Sequence, residues 1–139
     1  MTLVILFVVF LSSKLQKANK IMITAEAVRQ LALALPETEE EPHHAITSFR
    51  VKKKIFATLN PPEYRATFRF SQEMQDIFTR IGQGAIFPVP NAWGKYGWTT
   101  VDLPKVAPEL LEDALRIAWR EAAPAAFRKK YAEWFEDGE

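Results

Sequence analysis

The chain has 139 residues, 48% hydrophobic and 25% charged, which suits one globular domain with a real core and leaves little chain for a second. It has no cysteine, so disulfides, thiolate zinc sites and cysteine nucleophiles are excluded together. A formal net charge of +1 hides an uneven distribution, because residues 45–101 hold eight Lys/Arg against three Asp/Glu, whereas residues 102–139 hold six against nine.

Leu3–Leu11 is an unbroken apolar run of nine, followed by Ser12, Ser13, Lys14, Lys17 and Lys20. A spanning helix needs about 20 apolar residues, and a secretory signal carries its positive charge before the apolar stretch. Residues 1–21 therefore read as an extension outside the domain, with a membrane-associating or targeting segment, and then an integral strand or helix, as the alternatives. Residues 22–139 read as a single domain, with no stable membrane insertion and a cytoplasmic location expected.

Thr24 is placed to cap a helix with Glu26 in its first turn, Val28, Leu31 and Leu35 on one face, and Pro36 as its stop. The acidic stretch Glu37–Pro42 reads as a solvated loop. Ile46–Val51, Lys54–Leu59 and Arg65–Phe70 are short β-rich runs whose connections allow only an antiparallel meander. Ser71 caps a second helix with Met74, Ile77, Phe78 and Ile81 as its apolar stripe and Gly82 as its C′ residue. Residues 82–97 are rich in Gly, Pro and aromatics and lead into a strand over Trp98–Leu103. Pro108 opens a helix that buries Leu111, Ala114, Leu115 and Ala118, and Pro124 opens another carrying Phe127, Tyr131 and Trp134. The expected class is α+β, a small antiparallel sheet with helices packed on one face.

Side chains alternate across a strand, so each strand divides into two faces. Phe49, Val51, Ile55, Ala57, Leu59, Ala66, Phe68, Phe70, Val101 and Leu103 are assigned inward. The open face then displays Arg50, Lys54, Arg65 and Arg69, with the aromatic rings of Phe56 and Trp98 among them. Basic groups neutralise phosphates and aromatic rings stack on bases, so this mixture suits nucleic acid, although it also describes an ordinary solvated sheet face. Lys52, Lys53 and Lys54 add positive charge at a hairpin tip, and Trp93-Gly94-Lys95-Tyr96-Gly97-Trp98 forms a second basic and aromatic tip. The competing account of that second tip is structural, with glycines making a tight bend while the Trp rings bury.

Catalysis has no visible residue set: HExxH, GxSxG, the phosphate-cradling P-loop and GxGxxG are all missing. His43 and His44 are adjacent and diverge in extended chain, which is poor geometry for one metal, so neither a metal nor a cofactor is expected.

Several of these segments resemble the MmcQ/YjbR family: Leu35-Pro36 with the acids after it, Phe49-Arg50-Val51, Lys54–Leu59, Phe87-Pro88-Val89-Pro90, Ala92-Trp93-Gly94, Gly97-Trp98-Thr99 and the helix over Leu110–Trp119. The resemblance spans roughly residues 22–123 and is most specific from Phe87 to Thr99. It implies a YjbR/CyaY-like, frataxin-like fold, sometimes described as a double wing, and a DNA-binding label that rests on fold and charge. Such proteins usually carry glycine near Lys52 and Lys53, so the turn here is expected to be longer or differently shaped.

The expected function is non-enzymatic binding of DNA, or of RNA, through Arg50, Lys52, Lys53, Lys54, Phe56, Arg65, Arg69, Lys95 and Trp98. The alternative is a protein-interaction or small-ligand module centred on the Trp93–Trp98 loop, which requires an apolar pocket near Trp98. The sequence sets no oligomeric state.

Overall fold

The computed structural model describes residues 23–135, so the extension expected over residues 1–21 lies outside them. Helix α1 spans Ala25–Ala34, begins where Thr24 Oγ1 accepts the Ala27 N–H at 3.0 Å, and stops at extended Leu35 before Pro36. Six antiparallel strands follow in the spatial order β1-β2-β3-β4-β6-β5. They are β1 Thr38–His43, β2 Ile46–Val51, β3 Lys54–Asn60, β4 Arg65–Arg69, β5 Ile86–Pro88 and β6 Trp98–Asp102.

Two of these strands depart from the expectation. The acidic segment is not a loop but edge strand β1, paired along its length with β2. It lacks apolar alternation because its hold comes from backbone pairing and from Glu40, which accepts from Arg29 Nε at 2.8 Å and Thr47 Oγ1 at 3.1 Å. Among the described residues, the three-residue β5 forms the opposite edge and pairs only with β6.

Helix α2, Gln72–Ile81, bridges β4 to β5 across the intervening β6, and Ser71 Oγ caps it by accepting the Met74 N–H. Its buried residues are Gln75 and Phe78, whereas Ile77 and Ile81 of the expected stripe are exposed. Gly82 keeps right-handed backbone, and positive φ falls instead on Gln83, at 48°, and Gly84, at 91°. Glycine is needed at 82 for closeness, since a Cβ there would lie 2.8 Å from both the Phe78 carbonyl oxygen and Ile86 Cβ.

A four-residue helix α3, Ala92–Lys95, precedes β6, and α4, Pro108–Ala122, buries Leu111, Ala114, Leu115, Ala118 and Trp119. Helices α1 and α4 cover one face of the sheet around β3 and β4. The buried cluster there joins Phe49, Phe56, Phe68, Leu103 and Leu115 to Trp119. Trp119 Nε1 donates to the Pro36 carbonyl at 2.9 Å, which ties α4 to the end of α1. Helix α5 runs only over Ala125–Lys130; the chain then turns as a 3-10 helix, and Phe135 rather than Trp134 stacks on Trp119 at 5.1 Å. Among the described residues, no helix is long and apolar enough to cross a membrane.

Candidate nucleic-acid interface

Between β2 and β3 the chain makes a two-residue turn, with Val51 opposite Lys54. Lys52 and Lys53 both hold left-handed backbone, at φ 49° and 67°. The turn is therefore not lengthened; both lysines occupy positions that normally take Asn-Gly in a type I′ hairpin. Lys52 Nζ lies 5.5 Å over the Phe127 ring, which brings the hairpin tip to α5.

One irregularity reassigns the expected face. Phe49 pairs with Ala57 but Arg50 pairs with Ile55, so Phe56 is the extra residue of a β-bulge. Alternation resets across it. Phe56 turns into the core with 0% exposure and is not a stacking surface. Lys54, in register with buried Val51, moves from the open face to the helix side, and Ile55 takes the open-face position.

What remains on the face opposite α1 and α4 is a band of hydroxyls in register, Ser48–Thr58–Thr67–Thr100, of which Ser48, Thr58 and Thr100 are buried among their neighbours. Arg50 flanks the band but is neutralised by Glu41 of β1, 3.2 Å away, and also donates to Ser48 Oγ. Arg65 sits at the other end with its guanidinium 5.9 Å from the Phe87 ring centroid. Arg69 lies over half-buried Trp98 at the same distance, so one face of that indole is already covered. The open face is thus less basic and less aromatic than alternation alone suggests.

The cations gather instead at the end of the sheet. Lys54, Arg69, Lys95 and Arg128 line one open groove of about 390 Å³, together with Phe70, Ser71, Gln72, Tyr96, Ala122 and Glu121. Lys54 comes from the start of β3, Arg69 from the end of β4, Lys95 from α3 and Arg128 from α5. The carboxylate in the lining is engaged, because Glu121 Oε1 accepts the Ser71 N–H at 2.8 Å. Lys130, by contrast, is turned to the other side. It sits 3.7 Å from Glu37, and its ammonium is held above its ordinary value first by the Tyr131 hydroxyl and then by the Glu37 carboxylate.

The groove wall formed by residues 91–98 is fastened by backbone contacts. Asn91 Oδ1 caps α3 by accepting the Trp93 N–H at 2.9 Å. Gln75 Nε2 donates to the Gly94 carbonyl and to Thr99 Oγ1, both at 3.0 Å, and Gln72 Nε2 donates to the Lys95 carbonyl. Gly97 is at φ 97°, and a Cβ on it would fall 1.8 Å from the Phe70 carbonyl oxygen. Closed in this way, the backbone leaves Trp93 and Tyr96 pointing outward at 63% and 65% exposure. Neither of these two rings buries, and the groove beside them carries four cations together with the apolar surfaces of Phe70, Tyr96 and Ala122.

Of the nine residues singled out from sequence, Lys54, Arg69 and Lys95 share the groove; Lys52 lies over Phe127 of α5 and Lys53 completes the turn before Lys54, neither of them in the lining; Arg50, Arg65 and Trp98 lie on the sheet face; Phe56 is core. Arg128, Gln72 and Gln75 were missed. Arg128-Lys129-Lys130 is a basic run, but it lies in the acidic third of the chain, where the segment sum conceals it.

A family model described as YjbR matches residues 33–121. The fold is similar to the crystal structure of a Deinococcus radiodurans protein with a DUF419 domain, with a TM-score of 0.65 at 23% identity, covering 78% of this chain and 88% of that one. No curated protein matches the chain.

Proposed function

The chain belongs to the YjbR family, and from that premise, together with the groove, we propose that it is a non-enzymatic nucleic-acid-binding module for DNA or RNA. One observation carries the reading: four cations from four separate segments converge on one groove whose carboxylate, Glu121, is held by a backbone N–H. Such a cluster costs self-repulsion in the free protein, and a phosphate backbone relieves it while releasing counterions. The Lys52-Lys53 turn beside the groove and the Trp93–Tyr96 tip act as flanking wings. The residues that carry binding are Lys54, Arg69, Lys95 and Arg128, with Lys52 and Lys53 adding charge at the rim.

Fluorescence anisotropy with labelled DNA and RNA at several salt concentrations tests this. Three to four neutralised phosphates predict that log affinity falls against log salt with a slope of about −3. The double variant Lys54→Glu/Arg128→Glu should lose about tenfold or more in affinity while its circular dichroism spectrum is unchanged. Binding that ignores salt, or no binding at low ionic strength, would sink the proposal.

A further inference from the structure

Resting on the nucleic-acid reading, we infer that the occupant of the groove is a single strand whose phosphates lie along Lys54, Lys95 and Arg128 while its unpaired bases stack on Trp93 and Tyr96. Two large rings left mostly in water forgo the stabilisation that burial would give, and both lie within two residues of Lys95 in sequence. Tyr96 is itself part of the groove lining. Their centroids are 6.3 Å apart with planes at 61°, so they do not stack face to face on each other and each keeps a face free.

The backbone beneath the rings is also held in place before any ligand arrives. The Asn91 cap, the Gln75 bonds to Gly94 and Thr99, and the close approach of Gly97 to Phe70 fix the backbone that carries them. A platform fixed in advance loses little freedom on binding, so stacking on it is not offset by ordering the loop. A duplex keeps its base faces stacked inside the helix and would use the cations alone. A single strand uses both the cations and the rings, and the charge pattern of the groove complements its backbone.

The test uses the full chain and three labelled probes of equal length: a mixed-sequence single strand, the same sequence as a duplex, and an abasic single strand with the same phosphates but no bases. The expected result is that the base-bearing single strand binds at least tenfold more tightly than the other two. Trp93→Ala and Tyr96→Ala should each weaken only that probe, by about tenfold. Both rings are exposed, so the thermal melting curve serves as the fold control. Trp93→Phe should restore most of the preference. Equal affinity for single strand and duplex, with no effect of the aromatic variants, overturns this inference and leaves the cationic groove as a phosphate site. Failure of all three probes at low salt overturns the nucleic-acid reading as well.

Discussion

With none of its surface exposed, the Phe56 ring belongs to the same buried cluster as Phe49, Leu115 and Trp119. Removing it leaves a cavity that neighbouring side chains fill only in part. Phe56→Ala should therefore cost about 3–5 kcal/mol, a large fraction of the stability of a domain this size. The measurement is the urea midpoint, and a loss below about 1 kcal/mol would mean that the ring is not core. Lys54, two positions earlier, has the opposite fate. It shares the helix side with Phe56 but lies beyond the end of the core, where its ammonium reaches the groove. Periodicity alone puts both on the open face, and nothing in the composition of Lys54–Leu59 marks the extra residue. A bulge is visible only in the pairing, as the step from Phe49–Ala57 to Arg50–Ile55.

At the scale of elements, the β2–β3 hairpin keeps two lysines at positive φ where a two-residue turn favours Asn-Gly. Left-handed backbone costs a residue with a Cβ roughly 1–2 kcal/mol. Replacing the pair by Lys52→Asn/Lys53→Gly should raise stability by about 1–2 kcal/mol, read as a higher denaturant midpoint with an unchanged m-value. No gain would show that the turn is unstrained or that the contact of Lys52 with Phe127 offsets the strain. A retained cost at a tip beside the groove fits a role for charge there. Helix α2 illustrates a second departure from simple pattern. Its amide side chains Gln72 and Gln75 face the body and hold the 91–99 segment, whereas apolar Ile77 and Ile81 face water. An apolar stripe at helical spacing identifies the helix correctly and its buried side incompletely, since Gln75 takes a buried position beside Phe78 and reaches the Gly94 carbonyl.

Across the whole molecule, the class, the meander and the four longer helices were legible because their core positions, such as Phe68, Val101, Leu111 and Leu115, follow periods of two and 3.6. The two edge strands were not legible. β1 has too many charges to look like a strand and β5 is too short, and both owe their conformation to pairing with the adjacent strand, β2 and β6 respectively, rather than to their own side-chain pattern. The groove was half legible, since three of its cations stood out in the basic middle while Arg128 needed the fold to bring residue 128 beside residue 54. Tertiary convergence of that kind leaves no local mark.

The two edges also bear on how the protein behaves at high concentration. A sheet propagates into aggregates through its outermost strands, and here one carries Glu39, Glu41 and Pro42 while the other ends in Pro88 after three residues. Neither offers a long, uncharged ladder for another chain to extend. Converting the first edge with Glu39→Thr, Glu41→Val and Pro42→Val removes those safeguards without touching the groove. The variant should form thioflavin-binding fibrils at concentrations where the parent stays dispersed, and a clear solution over the same interval would show that the guard lies elsewhere. The acids that made β1 hard to recognise as a strand thus act as the sheet's gatekeepers against fibril growth.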